Sequence, residues 1–180
     1  MNKDIKQVLL SEDQLDSIVT RIAADIDRDY ADKRLVLVSI LKGSVMFTAA
    51  LMGKLQTNAE IEFMKVSSYG SQTKSTGCIS VLLDLKRDDL GELDLLIVED
   101  IVDSGRTLNL LTGLLRERGA KSVKTVTLLD KPSRREVCFT PYYTGTEIPD
   151  EFVVGFGLDY DEKYRNLPYV GILHPDVYTK

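Results

Sequence analysis

The chain has 180 residues, 43% of them hydrophobic, enough for one domain with a sizeable core. Its net charge of −5 does not supply the broad cationic surface that usually serves nucleic acid. No stretch approaches the ~20 apolar residues of a membrane span, and "MNKDIKQVLLSEDQ" at the N-terminus lacks the apolar segment of a signal peptide. Cys78 and Cys138 lie far apart without a Cys-x-x-Cys pair, which argues against a disulfide scaffold or a thiolate zinc site and for a reducing, cytoplasmic setting. The single histidine, His174, gives little support to a Ser/His relay, so carboxylates and lysines are the expected chemical groups.

Ser11 and Gln14 have the spacing of a capping box, and Leu15, Ile18, Val19, Ile22 and Ile26 follow at helical steps, which predicts an amphipathic helix. "RLVLVSIL" (34–41) predicts a buried strand, "KGSVMFTAALMGKL" a turn and helix, and "EIEFMKVSSY" (60–69) a second strand. The polar "GSQTKSTG" (70–77) is too long for a tight turn and reads as a mobile connection to a strand at "CISVLLDL". "LDLLIVEDIV" (93–102) is a further buried strand, "TLNLLTGLLRER" a helix stopped at Gly119, and "SVKTVTLLD" (122–130) the next strand. This alternation predicts an α/β fold with a mainly parallel sheet. From Pro132 to Pro149 the pattern dissolves into turn-rich sequence; "EFVVGFGLDY" and "YVGIL" then read as two short strands of a small hood or sheet edge.

The chemistry concentrates in "LIVEDIVDSGRTL" (95–107). A parallel strand ending at Glu99 and Asp100 presents those acids at the crevice where open α/β sheets bind ligands. "DSGRT" then offers a glycine, two hydroxyls and the free N–H groups of a helix start, a combination that binds phosphate. A Walker A loop is excluded by Asp100 and Arg106, and a dinucleotide fingerprint by Tyr160 in "GFGLDY". Acids beside a phosphate cradle are tolerable if they accept sugar hydroxyls or hold a divalent cation, so a phosphorylated sugar with magnesium fits.

"VEDIVDSGRTL" closely resembles the ribose-phosphate loop of type I phosphoribosyltransferases. Further motifs from about residue 35 to residue 173 resemble the 6-oxopurine branch of that family. The resemblance implies an enzyme that transfers the 5-phosphoribosyl group from 5-phosphoribosyl 1-pyrophosphate (PRPP) to hypoxanthine or guanine. It further implies Glu99 and Asp100 on ribose and metal, Asp103 as general base at purine N7, and Ser104, Gly105, Arg106 and Thr107 around the 5-phosphate. Relatives often carry Thr and Lys where this chain has Ser104 and Arg106, which preserves a hydroxyl and a cation. "LKGS" implies a pyrophosphate loop at Lys42 and Gly43, with a cis peptide between Leu41 and Lys42, and Arg165 on the pyrophosphate. Lys131, Phe152, Val153 and Asp159 fall on the purine side, Asp159 also matching the acid of a second magnesium. Ser68 and Tyr69, in "SSYGSQTKSTG", match a mobile lid over about 68–78; a single domain over 1–180 with a hood from the N-terminal segment and about 150–180, and a homodimer or homotetramer, are implied.

Two rivals use the same fold: an RNA-binding regulator of pyrimidine genes, and a transferase preferring another base such as adenine, uracil, orotate or xanthine. The acidic balance and the trio Lys131, Phe152 and Asp159 favour the 6-oxopurine enzyme with small-molecule substrates and neither nucleic-acid nor membrane partners.

Overall fold

The structure is a computed structural model that describes residues 3–68 and 79–179, excepting the side chains of Ser68 and Ile79. The elements run β1 (Ile5–Leu10), α1 (Glu12–Tyr30), β2 (Leu35–Ile40), α2 (Val45–Met52), β3 (Ala59–Ser68), β4 (Ile79–Leu83) and β5 (Asp94–Val102). After these come α3 (Arg106–Glu117), β6 (Ser122–Asp130), β7 (Tyr143–Glu147), β8 (Val153–Val154), β9 (Val170–Leu173) and the short α4 (Pro175–Tyr178). Tyr69, the side chain of Ser68 and the rest of the expected lid lie outside the described residues.

Among the described residues one sheet has the order β4-β3-β2-β5-β6-β7, and a second has the order β1-β9-β8. In the larger sheet β3, β2, β5, β6 and β7 are mutually parallel, while β4 runs antiparallel against β3. The near-continuous apolar runs of β2 and β5 have a simple cause: both strands are covered on both faces. Leu35, Leu37, Leu96 and Val98 face a core shared with α1 and α2. Val36, Val38, Leu95 and Ile97 face the opposite core, shared with α3. The fully buried Ile97 sits centrally in that layer, so Ile97→Ala is expected to lower the unfolding free energy by about 2–5 kcal/mol in a denaturant titration.

Helix α1 begins as its capping box requires: the Gln14 amide donates to Ser11 Oγ (3.3 Å) and the Ser11 amide to Gln14 Oε1 (2.9 Å). Its buried stripe is Leu15, Val19, Ile22 and Ile26.

Three segments differ from the expectation. β1 pairs antiparallel with β9, although only Ile5 of its six residues is fully buried, which leaves the strand without an alternating pattern. β7 lies inside the stretch that reads as turns, because Thr144, Gly145 and Thr146 carry little apolar character; the strand is held by pairing with β6. In "EFVVGFGLDY" only Val153 and Val154 are strand. The chain then turns through Gly155, Phe156 and Gly157, all at positive φ (100°, 49° and 102°), with reciprocal Gly155–Leu158 backbone bonds.

Candidate active site

Strand β5 lies between β2 and β6, so its carboxyl end opens at the middle of the larger sheet. Past Val102 the chain runs through Asp103, Ser104 and the left-handed Gly105 (φ 78°) into α3. A cleft of 330 Å³ there is lined by Leu41, Glu99, Asp103, Ser104, Gly105 and Thr107, among others. The first turn of α3 leaves amides without intrahelical partners, as any helix start does, and the Arg106 amide donates to Ser104 Oγ (3.3 Å), tightening the turn. The Arg106 side chain is not part of this lining: its Nε pairs with Glu136 at 2.5 Å.

Glu99 and Asp100 are consecutive residues near the carboxyl end of β5. Burial, reinforced by the charge of Asp100, pushes the Glu99 carboxyl well above the ordinary range. Burial also raises Asp100, against the lowering effect of Glu99 and of the Ile101 amide, which donates to Asp100 Oδ1 at 2.8 Å. The Leu41–Lys42 peptide is cis. Gly43 follows it so closely against Asp100 that a Cβ there would stand 1.6 Å from Asp100 Oδ2. The "LKGS" loop and the acid pair, remote in sequence, are therefore in direct contact.

A second cleft, of 450 Å³, is lined by Asp100, Asp103, Lys131, Phe152, Val153 and Asp159, among others. Lys131 is 7% exposed; its Nζ donates to the Glu151 carbonyl (2.7 Å) and lies 3.8 Å from Asp103 Oδ1. Phe152, by contrast, is an exposed aromatic. Its ring stacks on Tyr178 (centroids 4.9 Å apart, planes at 22°) and meets Tyr160 edge-on. Asp159 pairs with Arg165 at 2.8 Å, and Arg165 Nη1 donates to the Gly157 carbonyl at 2.8 Å. Among the described residues the two clefts have Ile101 and Asp103 in common, so Asp103 is the one carboxylate there that lines both.

Sequence reasoning missed Arg135, Glu136 and Ile101. Arg135 Nη1 donates to the Asp103 carbonyl (2.6 Å), its Nη2 pairs with the buried Asp130, and the Glu136 amide donates to the Ser104 carbonyl (3.0 Å). These contacts fold the segment after Pro132 over the β5–α3 loop. Nothing in its turn-rich composition marks that role; the adjacent cations of "SRRE" are the only hint. Ile101, an apolar residue between acids in a buried strand, is indistinguishable in sequence from core.

A sheet-end phosphate loop with paired acids, facing a second cleft with a buried lysine and an exposed aromatic, defines a transferase of phosphorylated sugars. The family model described as the phosphoribosyl transferase domain matches residues 9–161, and the chain belongs to that family. It is similar along its whole length to the hypoxanthine-guanine phosphoribosyltransferase of Staphylococcus epidermidis, with 51% identity over 180 residues and 100% of both chains covered. A crystal structure of a Staphylococcus aureus hypoxanthine phosphoribosyltransferase superposes with a TM-score of 0.94 at 47% identity, covering 100% of each chain. The Trypanosoma cruzi hypoxanthine phosphoribosyltransferase in complex with the product IMP gives a TM-score of 0.92 at 40% identity, covering 99% of each chain. Within the family, the chain is a member of the hypoxanthine-guanine branch.

Proposed function

We propose that this chain salvages free purines, transferring the 5-phosphoribosyl group of PRPP to N9 of hypoxanthine or guanine to give IMP or GMP and pyrophosphate. The observation that carries the assignment of roles is the position of Asp103 as the carboxylate common to both clefts. A base at that point reaches a purine in one cleft while the sugar phosphate occupies the other. Asp103 accepts or stabilises the N7 proton, which raises electron density at N9 as the C1–N9 bond forms and the C1–O bond to pyrophosphate breaks. Ser104 to Thr107 hold the 5-phosphate through the amides and hydroxyls of the helix start, Arg106 contributing its backbone. Glu99 and Asp100 receive the ribose hydroxyls. Lys42 and Gly43 meet the pyrophosphate through their amides, and Arg165 adds a guanidinium there.

On the purine side Lys131 donates to the 6-oxygen, Phe152 stacks on the ring and Val153 reads the base edge through its backbone. An ammonium has donors only, so this arrangement selects an oxo group over the amino group of adenine. Ser68 and Tyr69 close over the reacting carbon as a lid, excluding water from oxocarbenium-like character. The β1-β9-β8 sheet forms the hood of a single catalytic domain, and the enzyme acts in the cytoplasm as a homodimer or homotetramer.

Phosphoribosyltransferases generally need a divalent metal. Among the described residues no three His, Cys, Asp or Glu side chains converge, so an all-protein cage is not available. Two adjacent carboxyls whose charged forms burial disfavours are a fit for magnesium, which takes one or two carboxylates and completes its shell with waters and phosphate oxygens. Glu99 and Asp100 would hold one ion and Asp159 a second. Held by these acids, a divalent cation would supply positive charge beside the leaving pyrophosphate.

The reading is tested by thermal stabilisation. IMP and GMP at equal concentration are expected to raise the melting temperature more than AMP does. In Lys131→Met that preference is expected to disappear, and the KM for hypoxanthine to rise about tenfold or more, the cost of losing a charged donor. A larger stabilisation by AMP in the wild type would contradict the oxopurine assignment.

A further inference from the structure

The two cations of the pyrophosphate end are already occupied by a carboxylate of the chain itself. Glu162 Oε2 lies 3.0 Å from Lys42 Nζ and 3.3 Å from Arg165 Nη2. One oxygen thus receives an ammonium from the loop after β2 and a guanidinium from the C-terminal turn. That is the environment a phosphate oxygen would take. Resting on the reading above, we infer that Glu162 is an internal stand-in for the leaving group, holding these cations until pyrophosphate displaces it.

The backbone is shaped for this. Tyr160 and Lys163 close a turn through reciprocal backbone bonds (3.2 and 3.0 Å), and Asp161, Glu162 and Tyr164 all have positive φ (52°, 61° and 75°). None of the three is glycine, and left-handed backbone is uncommon at such residues. The turn bends the Glu162 side chain back toward Lys42. Its amide donates to Asp159 Oδ2 at 2.9 Å, tying the same residue to the acid assigned to the second metal. Arg165 is divided in the same sense: Nη1 is anchored on the Gly157 carbonyl, while Nη2 pairs with the two acids Asp159 and Glu162.

The carboxylate is 64% exposed and its partner Lys42 51% exposed. Ion pairs of this kind are weak, so a multiply charged anion arriving with its metal displaces Glu162 readily, and on product release the carboxylate retakes the cations. The role is one of competition: Glu162 weakens pyrophosphate binding and so favours its departure.

The test is calorimetric titration of inorganic pyrophosphate, with magnesium and without nucleotide, into wild type, Glu162→Gln and Glu162→Asp. Glu162→Gln is expected to bind pyrophosphate about three- to fivefold more tightly at low ionic strength, with the gain shrinking at high salt. Glu162→Asp, which keeps the charge, should lie closer to wild type. Unchanged or weaker binding by Glu162→Gln, with wild type binding normally, would overturn the inference alone. Absence of pyrophosphate binding to wild type would instead remove the leaving-group assignment of this end of the site, and this inference with it.

Discussion

Asp103→Asn is expected to lower kcat by about 10²–10⁴-fold, the range typical of a lost general base, while changing PRPP binding little. The substitution is nearly isosteric; it removes the capacity to accept a proton, together with the charge that faces Lys131 Nζ at 3.8 Å. Asp103 is held by contacts that asparagine preserves: its carbonyl takes the Arg135 guanidinium at 2.6 Å, and the loop behind it is closed by the Glu136 amide on Ser104. Its side chain, 52% exposed, points into open cleft rather than into the core, so little stability is at stake. The phosphate turn of Ser104 to Thr107 is untouched. Steady-state kinetics with hypoxanthine, beside a direct PRPP binding measurement, separates the two quantities. Parallel losses in both would mean that Asp103 binds or shapes the site without taking the proton.

Gly43→Ala is expected to reduce kcat/KM for PRPP by about 100-fold or more, because displacement of reacting groups by an ångström is enough for such a loss. The added Cβ would stand 1.6 Å from Asp100 Oδ2 and 2.6 Å from Asp100 Cγ. Asp100 is buried and its Oδ1 accepts the Ile101 amide at 2.8 Å, so either that side chain leaves its place or the loop must move. Movement of the loop is also obstructed, because the Gly43 carbonyl abuts Gly157, where a Cβ would lie 2.0 Å from that oxygen. The substitution therefore disturbs the candidate metal acid, the amides offered to pyrophosphate and the turn that anchors Arg165. KM for hypoxanthine, set on the other side of Asp103, should change far less. Near-wild-type kcat/KM for PRPP in Gly43→Ala would show that this contact does not govern the site.

What the sequence disclosed depended on how locally each feature is encoded. The central strands were legible because burial on both faces writes an unbroken apolar run, as in "LDLLIVEDIV", and α1 because Ser11 and Gln14 cap a regular stripe. The β5–α3 loop was legible because acids, small residues and a glycine adjoin within a few positions. β1 and β7 escaped notice because edge pairing, rather than side-chain pattern, holds them. Contacts that span the chain left no local trace: Gly43 against Asp100, Arg135 on the Asp103 carbonyl, and Glu162 on Lys42 each depend on the fold to bring distant residues together. The Arg106 side chain was a partial misdirection, since its cation pairs with Glu136 and its amide donates to Ser104 Oγ.

The central claim is that the two clefts meeting at Asp103 join an oxopurine to a phosphorylated sugar. It is tested most directly by steady-state turnover of hypoxanthine, guanine, xanthine and adenine with PRPP and magnesium, followed as nucleoside monophosphate formed. Hypoxanthine and guanine are predicted to be converted to IMP and GMP with matching release of pyrophosphate, and adenine to be poorly used. Turnover of adenine exceeding that of hypoxanthine, or no turnover of either oxopurine, would contradict the account.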